Sequence, residues 1–156
     1  MAFRIRRIVT ERDAHGKAVV KSDGHVDSAP GKIDRNISAA DVWWTHCVPV
    51  DVSGHDATSE PSPGMPTPAG TLLKVLELAP GTKPVMHETR TLDYVIVLDG
   101  EVVMLLDDAA EVHMKAGDLM IQRGTLHGWA NRSDKPCRIA FVLVSAAAAQ
   151  GQLAAP

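Results

Sequence analysis

From Thr71 onward the sequence is cut into short stretches rich in Val, Ile, Leu and Met, each closed by a turn-forming pair, and no other feature limits the fold so strongly. The pattern predicts strands over 71–78, 85–98, 101–106, 111–115, 118–122, 128–131 and 138–145. Asp99-Gly100 reads as a hairpin turn, because a type I′ turn needs positive φ at both central residues, and Asp107-Asp108 and Ala116-Gly117 read as weaker turns. Evenly spaced short strands of this kind close into a sandwich or a barrel. The stretch 138–145 is apolar on both faces, which fits a central strand covered on both sides or an edge buried against a second subunit.

Ahead of this region, 3–10 and 17–22 alternate β-branched and charged residues around an Asp13-Ala14-His15-Gly16 turn, the pattern of a front hairpin. Alternation places the Arg4, Arg6 and Arg7 cluster on the wet face. A further strand is expected over 42–48, where Trp43 and Trp44 must point to opposite faces. Segment 53–70 carries Pro61, Pro63, Pro66 and Pro68 and reads as one long loop, a candidate lid. The organisation is therefore a single domain over 1–145 with its core at 71–145, followed by a flexible Ala-rich tail over 146–156.

A chain of 156 residues, 45% of them hydrophobic, has enough apolar surface for one core. A net charge of −3 gives no electrostatic reason to expect nucleic acid or an anionic membrane as partner. Cys47 and Cys137 form no Cys-x-x-Cys pair, so two buried thiols are expected. The charged start, with Arg4, Arg6, Arg7 and Glu11, lacks the apolar core of a secretory signal, and no run approaches membrane-spanning length. A cytoplasmic location is the expectation.

Two segments concentrate the chemistry-bearing residues. The first runs from Gly81 through His87, Thr89 and Asp93 to Gly100, and the second is Gln122-Arg123-Gly124-Thr125-Leu126-His127 ending at Asn131. His87, Thr89, Thr91 and Asp93 share strand parity, so an inward His87 brings Asp93 with it, and His127 meets them from another strand. His46, which shares parity with Trp44, is a further candidate, and so is Tyr94 beside Asp93. His113 reads as exposed, and Asn131 reads as fixing a turn.

The spacing of Gly81, His87, Asp93 and Gly100 resembles the first cupin motif, and Gly124, His127 and Asn131 resemble the second, with Gln122 where proline is usual. The chain is also similar to stand-alone cupin-domain proteins that share an Asp-x-x-Gly-Lys-Ala-Val-Val segment, here from Asp13 to Val20, together with His-x-Thr and Leu-Asp-Tyr. The resemblance implies an all-β fold, a double-stranded β-helix or jelly-roll barrel with the N-terminal strands packed alongside. In that family two His and a Glu from the first motif and one His from the second hold a metal. Here Thr89 replaces one His and Asp93 replaces the Glu, which leaves His87, Asp93 and His127 as the metal ligands, a two-His-one-carboxylate set suited to Fe, Mn, Zn or Ni.

Three readings follow. In the first, His87, Thr89, Asp93 and His127 form a divalent-metal site for an oxygenase, lyase or isomerase acting on an organic acid, phenol or polyketide-like compound. In the second, the same residues act without metal as acid and base in an isomerase or dehydratase. In the third, the barrel binds a small ligand without turnover. Met86, Met104, Met114 and Met120 are either core filling or a soft pocket lining. No nucleotide cofactor is implied. Pairing of two copies into a homodimer is expected.

Overall fold

The computed structural model describes residues 2–32, 34–52 and 56–147. The strands are β1 (Arg4–Arg12), β2 (Ala18–Asp27), β3 (Ala29–Pro30), β4 (Ile37–Thr45), β5 (Thr71–Leu78), β6 (Thr91–Asp99), β7 (Glu101–Leu105), β8 (Glu111–Lys115), β9 (Leu119–Arg123), β10 (Gly128–Ala130) and β11 (Cys137–Ser145). They make a six-stranded sheet in the order β3-β4-β5-β11-β6-β9, a three-stranded sheet in the order β10-β7-β8, and the separate hairpin β1-β2. All pairings are antiparallel.

The core lies between the two larger sheets, where Leu72, Leu78, Val95, Val97, Ile139 and Phe141 of one meet Val102, Met104, Met114 and Trp129 of the other. A second, smaller cluster covers the outer face of the large sheet: Phe3 and Ile5 of the hairpin region pack on Ala40, Val42, Val75 and Ala140. This explains why β11 reads as apolar on both faces. Its odd residues Cys137, Ile139, Phe141 and Leu143 are buried in the barrel, and on the other face Ala140 is buried beneath the hairpin with Val142 and Val144 half-buried. β11 is a central strand between β5 and β6, so of the two roles anticipated for it the covered one holds.

Several expectations need correction. Asp99-Gly100 is not a hairpin, because β6 and β7 belong to different sheets and Gly100 turns the corner between them. Only Gly100 has positive φ there, at 76°. A Cβ at this position would also meet the Pro136 carbonyl oxygen at 2.6 Å, so the positive φ and a close approach of backbones both demand the glycine. In this half of the chain β7 and β8 form a hairpin closed around Asp107-Asp108, with Asp108 at φ 54°. The predicted strand 85–98 begins only at Thr91, and His87 is held instead by an isolated bridge to His127. Cys137 is buried, but Cys47 is exposed. Arg4 and Arg6 pair with Asp27 and Asp23 on the wet face, whereas Arg7 points the other way and lies over the Trp43 ring at 5.8 Å.

Of the anticipated C-terminal tail, residues 148–156 lie outside the described residues. Among the described residues no helix is long and apolar enough to cross a membrane.

Candidate active site in the barrel

Asn131 brings the two chemistry-bearing segments together. It is fully buried, and its amide donates to the Leu78 carbonyl at 2.9 Å and the Lys135 carbonyl at 2.7 Å. Its side-chain oxygen accepts from the Ser133 N–H and hydroxyl. The backbone of Asn131 also bonds to Gly81 and Thr82, so the end of β5, the 79–82 turn and the exit from β10 are one unit. The sequence expectation that Asn131 fixes a turn holds.

That unit aligns 85–87 against 125–127. The His87 N–H donates to the His127 carbonyl at 2.9 Å, and the reverse bond is 3.0 Å. The two imidazoles consequently sit side by side and tilted, with ring centroids 4.4 Å apart and planes at 47°. Each ring is tied at Nδ1: His87 to the Val85 carbonyl at 2.8 Å, His127 to the Thr125 carbonyl at 2.9 Å. A carbonyl oxygen can only accept, so a favourable contact requires each Nδ1 to carry the proton, and Nε2 of the neutral ring is left with its lone pair. Gln122 completes the brace on His127, its amide nitrogen lying 2.8 Å from Thr125 Oγ1 and 2.9 Å from both the Thr125 carbonyl and His127 Nδ1. The edge of the Trp129 ring, 6.0 Å away between centroids, supports the other side of His127.

His127 is 2% exposed, and its pKa is lowered first by burial and then by His87, against the raising effect of the Thr125 carbonyl. It is therefore neutral at physiological pH. Asp93, also 2% exposed, comes from β6 between its register partners Leu143 on β11 and Gln122 on β9. Burial raises its pKa, while the Thr91 hydroxyl and His87 act in the opposite sense. One Asp93 oxygen is buried without a hydrogen-bond partner. Environment thus moves a carboxyl up and an imidazole down, which brings their proton affinities closer together.

His87, Thr89, Asp93 and His127 all line one cavity of about 210 Å3. Its walls are apolar, built from Leu76, Leu78, Trp129, Phe141 and Leu143, with Met65 contributed by the proline-rich loop. Thr89 is half-buried, and its hydroxyl accepts from Thr91 at 2.9 Å. His87 is exposed at the mouth, and His127 and Asp93 are deep. Tyr94 points outward and is 45% exposed, and His46 faces Glu60 at 3.6 Å on the surface, so neither enters. His113 is exposed as expected. Met104 and Met114 are buried in the core and Met120 packs against it, so they fill space rather than line this cavity. A separate hollow of about 430 Å3 beside β7 and β8 contains His113 but no second imidazole.

Sequence reasoning missed three cavity residues or braces. Lys74 alternates with Leu72, Leu76 and Leu78 on β5, a parity that marks it as inward facing, and it does line the cavity. Lys83 lies in the segment between Gly81 and His87 and also lines it. Gln122 looked like a departure from a proline position and is instead the brace of His127.

Donor chemistry alone suits a metal: two free Nε2 atoms, each backed by a carbonyl-bound Nδ1, and a buried carboxylate with an orphaned oxygen. The arrangement does not. Among the described residues no three His, Cys, Asp or Glu side chains are placed to hold one ion. Thr89 offers only a hydroxyl where a further ligand would stand. The residues as they are arranged therefore do not fit a three-ligand metal centre.

Comparison with known proteins agrees with this architecture. A family model described as "Cupin domain" matches residues 74–144. The chain is 32% identical over 151 residues to "Phomopsin biosynthesis cluster protein C'" of Diaporthe leptostromiformis, covering 90% of this chain and 78% of that protein. It is 30% identical over 147 residues to "Cupin-domain-containing oxidoreductase fogC" of Aspergillus ruber, covering 90% of this chain and 72% of that protein. Among solved structures, the Schizosaccharomyces pombe Cnp3 cupin domain matches with a TM-score of 0.56 at 13% identity, over 90% of this chain and 87% of that chain, a likeness of fold alone.

Proposed function

The chain belongs to the cupin-domain family, and from that premise we propose that it is a small-molecule enzyme performing general acid–base chemistry inside its barrel, with His127 as the base. The observation that carries this reading is the His127 ring itself: buried, neutral, with Nδ1 bonded to the Thr125 carbonyl and Nε2 free in the cavity. Such a nitrogen takes a proton from a substrate C–H beside a carbonyl or from a phenolic O–H. The electron pair released from carbon moves to the carbonyl oxygen. Asp93, whose raised pKa favours its protonated form, and the Thr89 hydroxyl are the groups that meet this oxygen. Return of the proton from His127 to a neighbouring carbon completes an isomerisation. Departure of a β-hydroxyl with a proton from Asp93 completes a dehydration, the His127 proton then replacing the one Asp93 gave up.

The cavity volume of about 210 Å3 corresponds to the space of about seven liquid waters and suits an organic acid, phenol or short polyketide-like fragment of one ring. The names of the relatives, a biosynthesis cluster protein and an oxidoreductase, support small-molecule chemistry. The oxidoreductase name of one relative supports redox chemistry instead, and a metal-dependent oxygenase is the second reading.

Carbon-bound hydrogen exchange separates the readings. Chelator-treated protein is incubated in D2O with one-ring phenols and short 3-oxo acids, and loss of carbon-bound hydrogen is followed by NMR. Protein-dependent exchange that survives chelation and is lost in His127→Gln is the expected result. Exchange abolished by the chelator and restored by one divalent metal overturns the acid–base reading in favour of the metal-dependent one. Binding of these compounds without any exchange supports a ligand-binding module instead.

A further inference from the structure

The cavity holds more positive charge than its acid–base pair requires. Lys74 enters from β5 and is largely neutralised: its Nζ lies 3.4 Å from Asp41 and donates to the Gly64 carbonyl at 2.7 Å. Lys83 has no counterpart of this kind. It lines the same cavity, and among the described residues no carboxylate pairs with it. Its backbone is well fixed, because the preceding Thr82 is buried and bonded to Ala79 and Asn131, and Pro84 follows it. Among the described residues Asp93 is the one carboxyl lining the cavity, and no ion pair joins it to Lys83. A second observation points to an occupant: the buried Asp93 oxygen that lacks any partner. A buried, unsatisfied carboxyl oxygen is unfavourable until a ligand hydroxyl or carbonyl reaches it.

We propose that the natural ligand is a small hydroxy- or oxo-carboxylate with an apolar body of one ring, its carboxylate held by Lys83 and its hydroxyl or carbonyl directed to Asp93 and His127. The inference rests on the acid–base reading for the orientation of the reacting end, but the anion contact stands independently of any turnover. The apolar walls, Lys83 as the cation that no described carboxylate pairs, and the polar floor each match one part of such a molecule. Arg or Lys at a cavity mouth also favours capture of anions from solution, and this contribution weakens with salt.

The test uses a pair of probes that differ only in charge, 4-hydroxybenzoate and 4-hydroxybenzamide, titrated calorimetrically against the full chain. The acid is expected to bind about fivefold or more tightly than the amide, a preference of the size that one partly exposed ion pair supplies. Lys83→Gln abolishes the preference, Lys83→Arg keeps it, and Lys115→Gln, outside the cavity, leaves it unchanged. His127→Gln retains the preference although it removes the base, so loss of exchange activity and loss of anion selection are separable. Equal binding of acid and amide by the wild-type chain overturns the proposal, as does a preference that survives Lys83→Gln. Failure of both probes to bind at about 10 mM overturns it too.

Discussion

Replacing Gln122 by Leu tests whether the geometry of His127 is imposed by its neighbours. The amide nitrogen of Gln122 has two protons and two acceptors, the Thr125 carbonyl at 2.9 Å and Thr125 Oγ1 at 2.8 Å, and it packs 2.9 Å from the protonated His127 Nδ1. Leu is similar in volume and donates nothing, so about two hydrogen bonds are lost, each with a net value of about 1 kcal/mol. Thr125 is exposed, so its hydroxyl turns to water, and its carbonyl still accepts from His127. The net destabilisation is then about 1–2 kcal/mol, equivalent to a fall in Tm of about 2–8 °C for a domain of this size. The larger effect is on chemistry. Without the Gln122 amide to hold Thr125, the carbonyl that tethers His127 Nδ1 is itself loosened, the imidazole pivots, and carbon-bound hydrogen exchange is expected to fall about ten- to hundredfold. Thermal unfolding and the D2O assay are run on the same preparation. A variant that is destabilised but exchanges at the wild-type rate refutes the positioning role of Gln122, and one unchanged in both measures refutes the hydrogen-bond arrangement itself.

Further consequences follow from the same contacts. Asp93 has a raised folded-state pKa, so at neutral pH its ionisation opposes folding, and the penalty shrinks as pH falls through that pKa. Asp93→Asn is therefore expected to be more stable than wild type at pH 7, by a margin that narrows toward pH 4 in urea titrations; a constant margin contradicts the assignment. His127 has the opposite linkage: its folded pKa is lowered, so the unfolded chain binds a proton that the folded chain does not, and stability drops as pH falls below about 6.5. Asn131→Ala leaves the buried Leu78 carbonyl and the Ser133 N–H without their side-chain partner, opens a void at a fully buried position, and is expected to cost about 2–3 kcal/mol by chemical denaturation. A homodimer gives a light-scattering mass of twice 16.7 kDa, and a mass of 16.7 kDa at all concentrations contradicts it. Since β11 is interior to its sheet, such a dimer uses another surface.

The barrel was legible because its strands are short, regularly punctuated and apolar at fixed parity, and because His87, Asp93 and His127 stand at motif spacing. The partition of strands between sheets was not. Asp99-Gly100 carries the residues of a hairpin turn, yet contact with Pro136 and Cys137, far along the chain, demands the glycine along with its positive φ. His87 reached the cavity by a route that alternation does not describe, through a bridge to His127 rather than as part of β6. Gln122 was obscured because β9 inverts the usual pattern, with Leu119 and Ile121 exposed at 73% and 53% while the polar Gln122 is buried at 3%. Lys74 was legible in principle from its parity with Leu72, Leu76 and Leu78.

The lone pair at His127 Nε2 is what the acid–base chemistry requires most, and 15N NMR of the histidine rings reads it directly. At pH 7 the His127 ring is predicted to be neutral, with a protonated Nδ1 and an unprotonated Nε2. A ring that is cationic at this pH, or neutral with its proton on Nε2, contradicts the assignment of His127 as the base.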